Sequence, residues 1–340
     1  MKRILSAALA CAVLLAGCAA PASTSGAPGG TSAVSAPEPT PAPTPSPAPK
    51  EVSLEEWRAA MPANAPVFTF ADAEPALNKD VLWPDQVELI VRAWQGTLEE
   101  ADAAFGLPAG SFSELDDPDY PPPEGAMSIH AEGYVLTKTP VQQVTVDLPW
   151  VSNSYENTST GTLPASLDEQ AAGALAAARY FLYYHHGMHH GLEPSDYDNA
   201  TDSYIVTEGA MYTRYSELEQ FLGCVFTPGA YGEMMGGPLA AGEAPAPSLF
   251  YQGEGDTIRY MMGDRGGSIT FCGAVFTEPV LQPDGSLLFW QLSLNLDDLD
   301  GNFQGWGEGV QHTPTLAFAT PVRLVPSDNG WRVAEYSLPN

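Results

Sequence analysis

The chain has 340 residues, with 13 basic against 42 acidic side chains and a formal net charge of −29. That balance argues against nucleic acid and anionic lipid headgroups as partners. It leaves a basic partner, a cation, or solubility alone as the reason for the acidity.

The N-terminus reads first. Lys2 and Arg3 precede an apolar run, Ile4 to Ala16, whose end is rich in small residues. This is the pattern of a secretory signal peptide, and the run is too short to span a bilayer. The quartet Leu15-Ala16-Gly17-Cys18 resembles the lipobox of bacterial lipoproteins. The resemblance implies cleavage before Cys18 and a diacylglyceryl thioether on its sulfur. It also implies a lipid-anchored protein on the extracytoplasmic face of a bacterial membrane. Two or more acyl chains, at about 0.8 kcal/mol per buried CH2, suffice for a stable anchor. Residues 1–17 are thus expected to be a signal peptide. Their loss removes two basic residues and no acid.

Residues 18–50 are expected to be the lipidated cysteine and a tether. The stretch is made of Ala, Pro, Ser, Thr and Gly, with Glu38 nearly its only charge before Lys50. Such a composition cannot bury a core, and from Pro37 onward proline alternates with other residues. At roughly 3.1 Å per residue the tether reaches on the order of 100 Å. The acidity therefore belongs to the head.

Residues 51–163 are expected to form an N-terminal α+β lobe. Glu51 to Ala60 suits a short helix around Leu54 and Trp57. Pro84 suits the first turn of a second helix. Val87, Ile90, Val91, Trp94, Leu98, Ala101 and Phe105 then recur at helical steps and predict one helix with an apolar stripe. Ser113 to Pro123 is acidic and then proline-rich. It reads either as a solvated connector or as a negative finger, with Glu114, Asp116, Asp117 and Asp119 offered to a basic partner. Met127–Thr137 and Val141–Trp150 alternate as strands, broken at Pro140. Asn153–Thr162 reads as a polar loop at a lobe boundary.

Residues 164–340 are expected to form a C-terminal α+β domain. Ser166 with Glu169 reads as a capping box that starts a helix running to about His186. His185, His186, His189 and His190 cluster at its end, in two pairs at i, i+4 spacing. Zinc sites use that spacing. However, no Glu lies between the pair as in HExxH, and Gly187 interrupts the helix. A further ligand would have to come from Glu193, Asp196, His130 or His312. Histidine at a helix C-terminus also complements the helix dipole without any metal. Zinc is thus an open cofactor and none is required. Two short helices follow, Thr213–Leu222 and Pro228–Met235, and then a Gly/Pro/Ala loop. Strands are predicted at Leu249–Gln252, Thr257–Met262, Ser268–Thr277, Leu287–Leu296, Thr315–Val325 and Trp331–Ser337. Turns at Pro283-Asp284-Gly285 and Asp328-Asn329-Gly330 join the last pairs. Asp297, Asp298 and Asp300 fit no EF-hand register and read as a solvated turn.

Of four cysteines, Cys11 leaves with the signal and Cys18 carries lipid. Cys224 and Cys272 remain. Export would permit a disulfide between them, worth about 4 kcal/mol in the chain-entropy model. Two buried thiols are the other reading.

Several segments carry a resemblance. They are Tyr212-Thr213-Arg214-Tyr215-Ser216-Glu217-Leu218-Glu219-Gln220-Phe221-Leu222, Val225-Phe226-Thr227-Pro228 and Leu249-Phe250-Tyr251. With the helix before them, they resemble the exported IseA-type inhibitors of DL-endopeptidases of Gram-positive bacteria, and the resemblance implies a Gram-positive source. Pro321–Val325 with Gly330–Val333 resembles the last hairpin of an NTF2-like or cystatin-like sheet. The match covers about residues 165–340. It implies helices packed on a curved antiparallel sheet, and a non-enzymatic protein that blocks a cell-wall hydrolase. The alternative is a small-ligand or glycan-binding module, suggested by Trp290, Phe303, Trp306 and Trp331. No GxSxG, phosphate-cradling loop, HExxH or Cys-His signature points to an enzyme.

Overall fold

The computed structural model describes residues 52–147, 158–183, 195–232, 234–238, 249–261, 268–296 and 310–339. All of them fall in one compact unit, Ala48–Asn340. The helices are α1 (Leu54–Ala59), α2 (Leu98–Ala104), α3 (Glu169–Phe181), α4 (Tyr215–Val225) and α5 (Pro228–Gly232). The strands of the first half are β1 (Val67–Ala73), β2 (Gln86–Trp94), β3 (Ser113–Glu114), β4 (Met127–Val135), β5 (Val141–Asp147) and β6 (Thr158–Pro164). Then come β7 (Ser195–Asp198), β8 (Ser203–Val206), β9 (Met235–Pro238), β10 (Phe250–Gln252) and β11 (Ile258–Tyr260). The last are β12 (Phe271–Phe276), β13 (Val280–Leu281), β14 (Leu287–Asn295), β15 (Leu316–Ser327) and β16 (Gly330–Glu335).

The architecture is α+β, as expected, with open sheets. One sheet has the order β1-β5-β6, and a second β7-β8-β11-β10-β9. The third has eight strands, β12-β14-β15-β2-β4-β3, with β13 on β14 and β16 on β15. Strand β2 runs parallel to β15, with Ile90 opposite Phe318. The large sheet therefore crosses the boundary expected at residues 163 and 164, and both sequence halves build it.

Side-chain alternation on this sheet sorts two cores onto its two faces. Phe289 of β14 and Val322 and Leu324 of β15 point into the first core. There they meet α3, α4 and Trp57 of α1, a mixture drawn from both halves. Trp57 is buried and its indole N–H donates to Cys224 O at 3.1 Å. Trp290, Leu292 and Leu294 of β14, with Ala317 and Ala319 of β15, point into the second core. Leu89, Val91, Ile129, Ala131, Ala101 of α2 and Phe105 at the C-terminal end of that helix join it. Helix α3 is buried almost all round. Its alanines admit close neighbours: a Cβ on Gly173 would stand 2.8 Å from Leu54 Cδ1 and 3.1 Å from Trp57.

Three expectations are corrected. Residues 84–105 are not one helix. Val87, Leu89 and Val91 alternate into the second core as strand β2, and the helix starts only at Leu98. Thr97 and Glu100 form a reciprocal capping box there. Helix α3 is capped by Asp168, whose Oδ1 accepts from Ala171 N at 2.8 Å, and not by Ser166. Ser166 instead donates to Glu278 Oε2 at 2.5 Å. Residues 158–162, expected as part of the polar loop Asn153–Thr162, belong to β6, which pairs with β5.

Candidate functional site

The site starts from a bulge. Between Leu89 and Val87 of β2, strand β4 inserts an extra residue, so that Ala131 and then Tyr134 are the facing partners. Gly133 sits there at φ 67°, where a side chain would be strained. The extra residue changes the phase of the strand, so that Tyr134 turns towards the second core. Its ring meets Phe105 edge-on, with centroids 6.4 Å apart. Leu136 follows and is buried in the same core.

Beyond β4 the chain leaves through Thr137, Lys138 and Thr139. Thr139 Oγ1 donates to Phe276 O at 3.2 Å, at the end of β12. In the sheet order β12 and β4 are separated by three strands. The segment leaving β4 thus reaches the end of β12 without pairing with it in the sheet. Thr277 extends the pairing of β12 with β14: its N–H donates to Trp290 O, and its Oγ1 accepts from Trp290 N, both at 2.9 Å.

A cleft of about 170 Å³ lies between these two segments. Leu136, Val275, Phe276 and Leu292 give it apolar walls, and Tyr134, Thr137, Thr139, Thr277 and Glu278 supply its polar groups. Burial pushes the Tyr134 phenol above its ordinary value, so it remains protonated at neutral pH. No hydrogen bond joins its hydroxyl to any described residue. Glu278 is the one charged side chain of the lining, and Ser166 orients one of its oxygens. Hydroxyls and a single carboxylate over an apolar floor can hold a small molecule in one orientation.

None of the residues singled out from sequence lines this cleft. Cys18 and the cluster His185, His186, His189 and His190 lie outside the described residues, as do Glu193, Asp297, Asp298, Asp300, Phe303 and Trp306. His130, a proposed further zinc ligand, is engaged elsewhere, its Nδ1 2.6 Å from Glu88 Oε1. His312 sits beside the 80–82 segment and accepts from Leu82 N through its carbonyl at 2.7 Å. Among the described residues no three His, Cys, Asp or Glu side chains gather as a metal shell. No helix among them is long and apolar enough to cross a membrane.

The disulfide between Cys224 and Cys272 is not formed, and both are free thiols. They belong to the two cores on opposite faces of the large sheet: Cys224 packs against the first and Cys272 lies in the second. Cys272 is fully buried, and burial pushes its thiol up to about 11. Cys224 is raised as well, chiefly by burial.

The acidic segment is fastened at one point. Arg92 lies 3.5 Å from Asp117 Oδ2, and its guanidinium stacks 3.8 Å above the Tyr120 ring. Phe318 lies on the guanidinium as well, 5.0 Å away. Asp117 is thus engaged, while Glu114, Asp116 and Asp119 remain exposed. Of the tryptophans suggested for glycan contact, Trp290 is buried in the second core. Trp331 is half-buried, and its Nε1 donates to Asp168 Oδ2 at 3.0 Å.

The cleft has only a faint sequence signature: Thr-Lys-Thr after one strand and Thr-Glu after another. Nothing local says that these two strand ends meet. No protein-family model, curated protein or solved structure matches the chain.

Proposed function

We propose that this chain is a lipid-anchored, extracytoplasmic binding protein whose head holds a small ligand in the cleft between the ends of β4 and β12. The observation that carries the reading is the cleft itself, with an unpartnered, partly buried phenol and three threonines above an apolar floor. The head acts by binding and catalyses no reaction. Helices on a mostly antiparallel sheet are compatible with an NTF2-like or cystatin-like arrangement, although the β2–β15 pair at its centre is parallel and departs from the expected all-antiparallel sheet. The anchor rests on Lys2, Arg3 and the Leu15–Cys18 quartet. Radiolabelled palmitate should appear on the wild-type chain and not on Cys18→Ser. Label on both, or on neither, would remove the anchor. A single-ring ligand that enters the cleft should raise the melting temperature of the full chain at saturation. No shift with amines, alcohols or acids of that size would count against the cleft as a binding site.

The second reading, a protein that binds or inhibits a cell-wall DL-endopeptidase, has its own support. The exposed carboxylate Glu114 ends β3, and Asp116 and Asp119 follow it on a loop that Arg92 fastens at Asp117 and Tyr120. A basic cleft would meet them without first ordering the loop. Wall-peptide hydrolysis measured at saturating head decides this one. An unchanged rate sinks it.

A further inference from the structure

We infer that the cleft selects a small organic ammonium ion: a primary amine on a compact apolar body about the size of one six-membered ring. The inference deepens the binding role proposed above and rests on it.

Size comes first. The cleft measures about 170 Å³. An apolar cavity of about 150 Å³ accepts a benzene ring. One ring with one substituent therefore fits inside, and the rest of a larger molecule would stand outside. The floor sets the second requirement. Leu136, Val275 and Leu292 belong to the second core, so the part of the ligand that enters must be apolar.

Charge sets the third requirement. Glu278 lines the cleft and no Lys, Arg or His does. The nearest lysine in sequence, Lys138, has its ammonium 5.3 Å from the centroid of the Trp83 ring and is not part of the lining. Ser166 donates to Glu278 Oε2, which fixes the carboxylate and leaves Oε1 open. An ammonium has three donors and no acceptor. It can satisfy Glu278 and the oxygens of the threonines together. Thr139 Oγ1 already donates to Phe276 O, so its oxygen is left to accept. A carboxylate or phosphate ligand would meet Glu278 as a like charge. A chain with a formal charge of −29 also concentrates cations at its surface.

The test uses the full chain with labelled Leu and Val methyl groups, and two probes of the same shape, cyclohexylamine and cyclohexanol. Both should shift the methyls of Leu136, Val275 and Leu292. Glu278 is exposed, so the amine should bind about threefold more tightly at pH 7, the step expected for one solvent-screened charge pair. Glu278→Gln keeps a partner for Ser166 and should erase that preference. Tyr134→Phe should weaken both probes without lowering the urea midpoint, because the hydroxyl has no protein partner to lose. Equal affinity for the two probes, or an amine preference that survives in Glu278→Gln, overturns the ammonium inference and leaves a binding cleft. Failure of both probes to shift those three residues overturns the inference and the binding role at this cleft together.

Discussion

Gly133 and Tyr134 show how one residue sets the site. Removing the bulge would turn Tyr134 to the opposite face of β4 and empty the cleft of its phenol. Gly133→Ala should cost about 1 kcal/mol of stability, read from the urea midpoint, because alanine resists the positive φ. It should also weaken cyclohexylamine binding at Leu136 and Leu292. The bulge was hidden in the sequence. Glu132-Gly133-Tyr134 reads as an ordinary interior of a strand, and only the pairing with β2 shows the extra residue.

Cys272 makes a second prediction at this scale. Burial pushes its thiol up to about 11 in the folded chain, from an ordinary value near 9 when exposed. A raised value contributes stability that is fully present below the unfolded value and is lost as pH rises through the folded one. The urea midpoint of the wild type should therefore fall, relative to Cys272→Ala, between about pH 9 and 11. A gap between the two that is constant across this window would contradict the assignment. Mass mapping after brief alkylation at pH 7.5 should find Cys224 and Cys272 largely unmodified in the folded chain and both modified in urea.

At the scale of elements, the stretch from Pro84 to Phe105 is the instructive one. Its apolar residues fit a helical stripe, and the same residues fit a strand followed by a helix. Position 89 discriminates: Leu89 falls between the stripe positions, yet it is fully buried in the second core. Thr97 and Glu100 had the capping-box spacing that marks the true helix start, while Ser166 and Glu169 had it and did not use it. A local motif proposes a cap, and the tertiary environment decides whether its hydroxyl is needed elsewhere. Ser166 is needed at Glu278.

Helix α2 is tied to the loop that follows by Asp102. This buried carboxylate accepts from Gly110 N at 2.6 Å and Phe112 N at 2.9 Å. Asp102→Ala leaves two backbone donors unpaired and should cost about 3 kcal/mol in urea unfolding. Asp102→Asn retains one acceptor and should cost less. The acidic loop hangs by a weaker contact. Arg92→Ala should lower stability by no more than about 1 kcal/mol, as befits a part-exposed ion pair. It should nevertheless speed limited proteolysis within residues 115–126. Equal cleavage rates would mean that Arg92 does not hold the loop.

Over the whole molecule, the late strands and both terminal hairpins were legible, because Pro283-Asp284-Gly285 and Asp328-Asn329-Gly330 sit between clear apolar runs. The helix around Trp57 and the buried α3 were legible for the same reason. The joining of the two halves was not. It depends on β2 lying parallel to β15, more than 200 residues apart, and no local pattern encodes that contact. The cleft was invisible for the same cause, since its two walls meet only after the large sheet has formed. What sequence did carry to the whole-molecule scale is the charge, which fits the proposed ammonium ligand as well as solubility alone, and the N-terminal quartet, which gives the head its expected place outside the membrane.

The central claim is that the space between the ends of β4 and β12 is a binding site. Thr137→Trp tests it most directly, because Thr137 is exposed at the rim and a tryptophan there fills the opening while sparing both cores. Titration calorimetry with cyclohexylamine should give saturable heat for the full chain and none for Thr137→Trp, at an unchanged urea midpoint. The same heat from both proteins would mean that the ligand binds elsewhere.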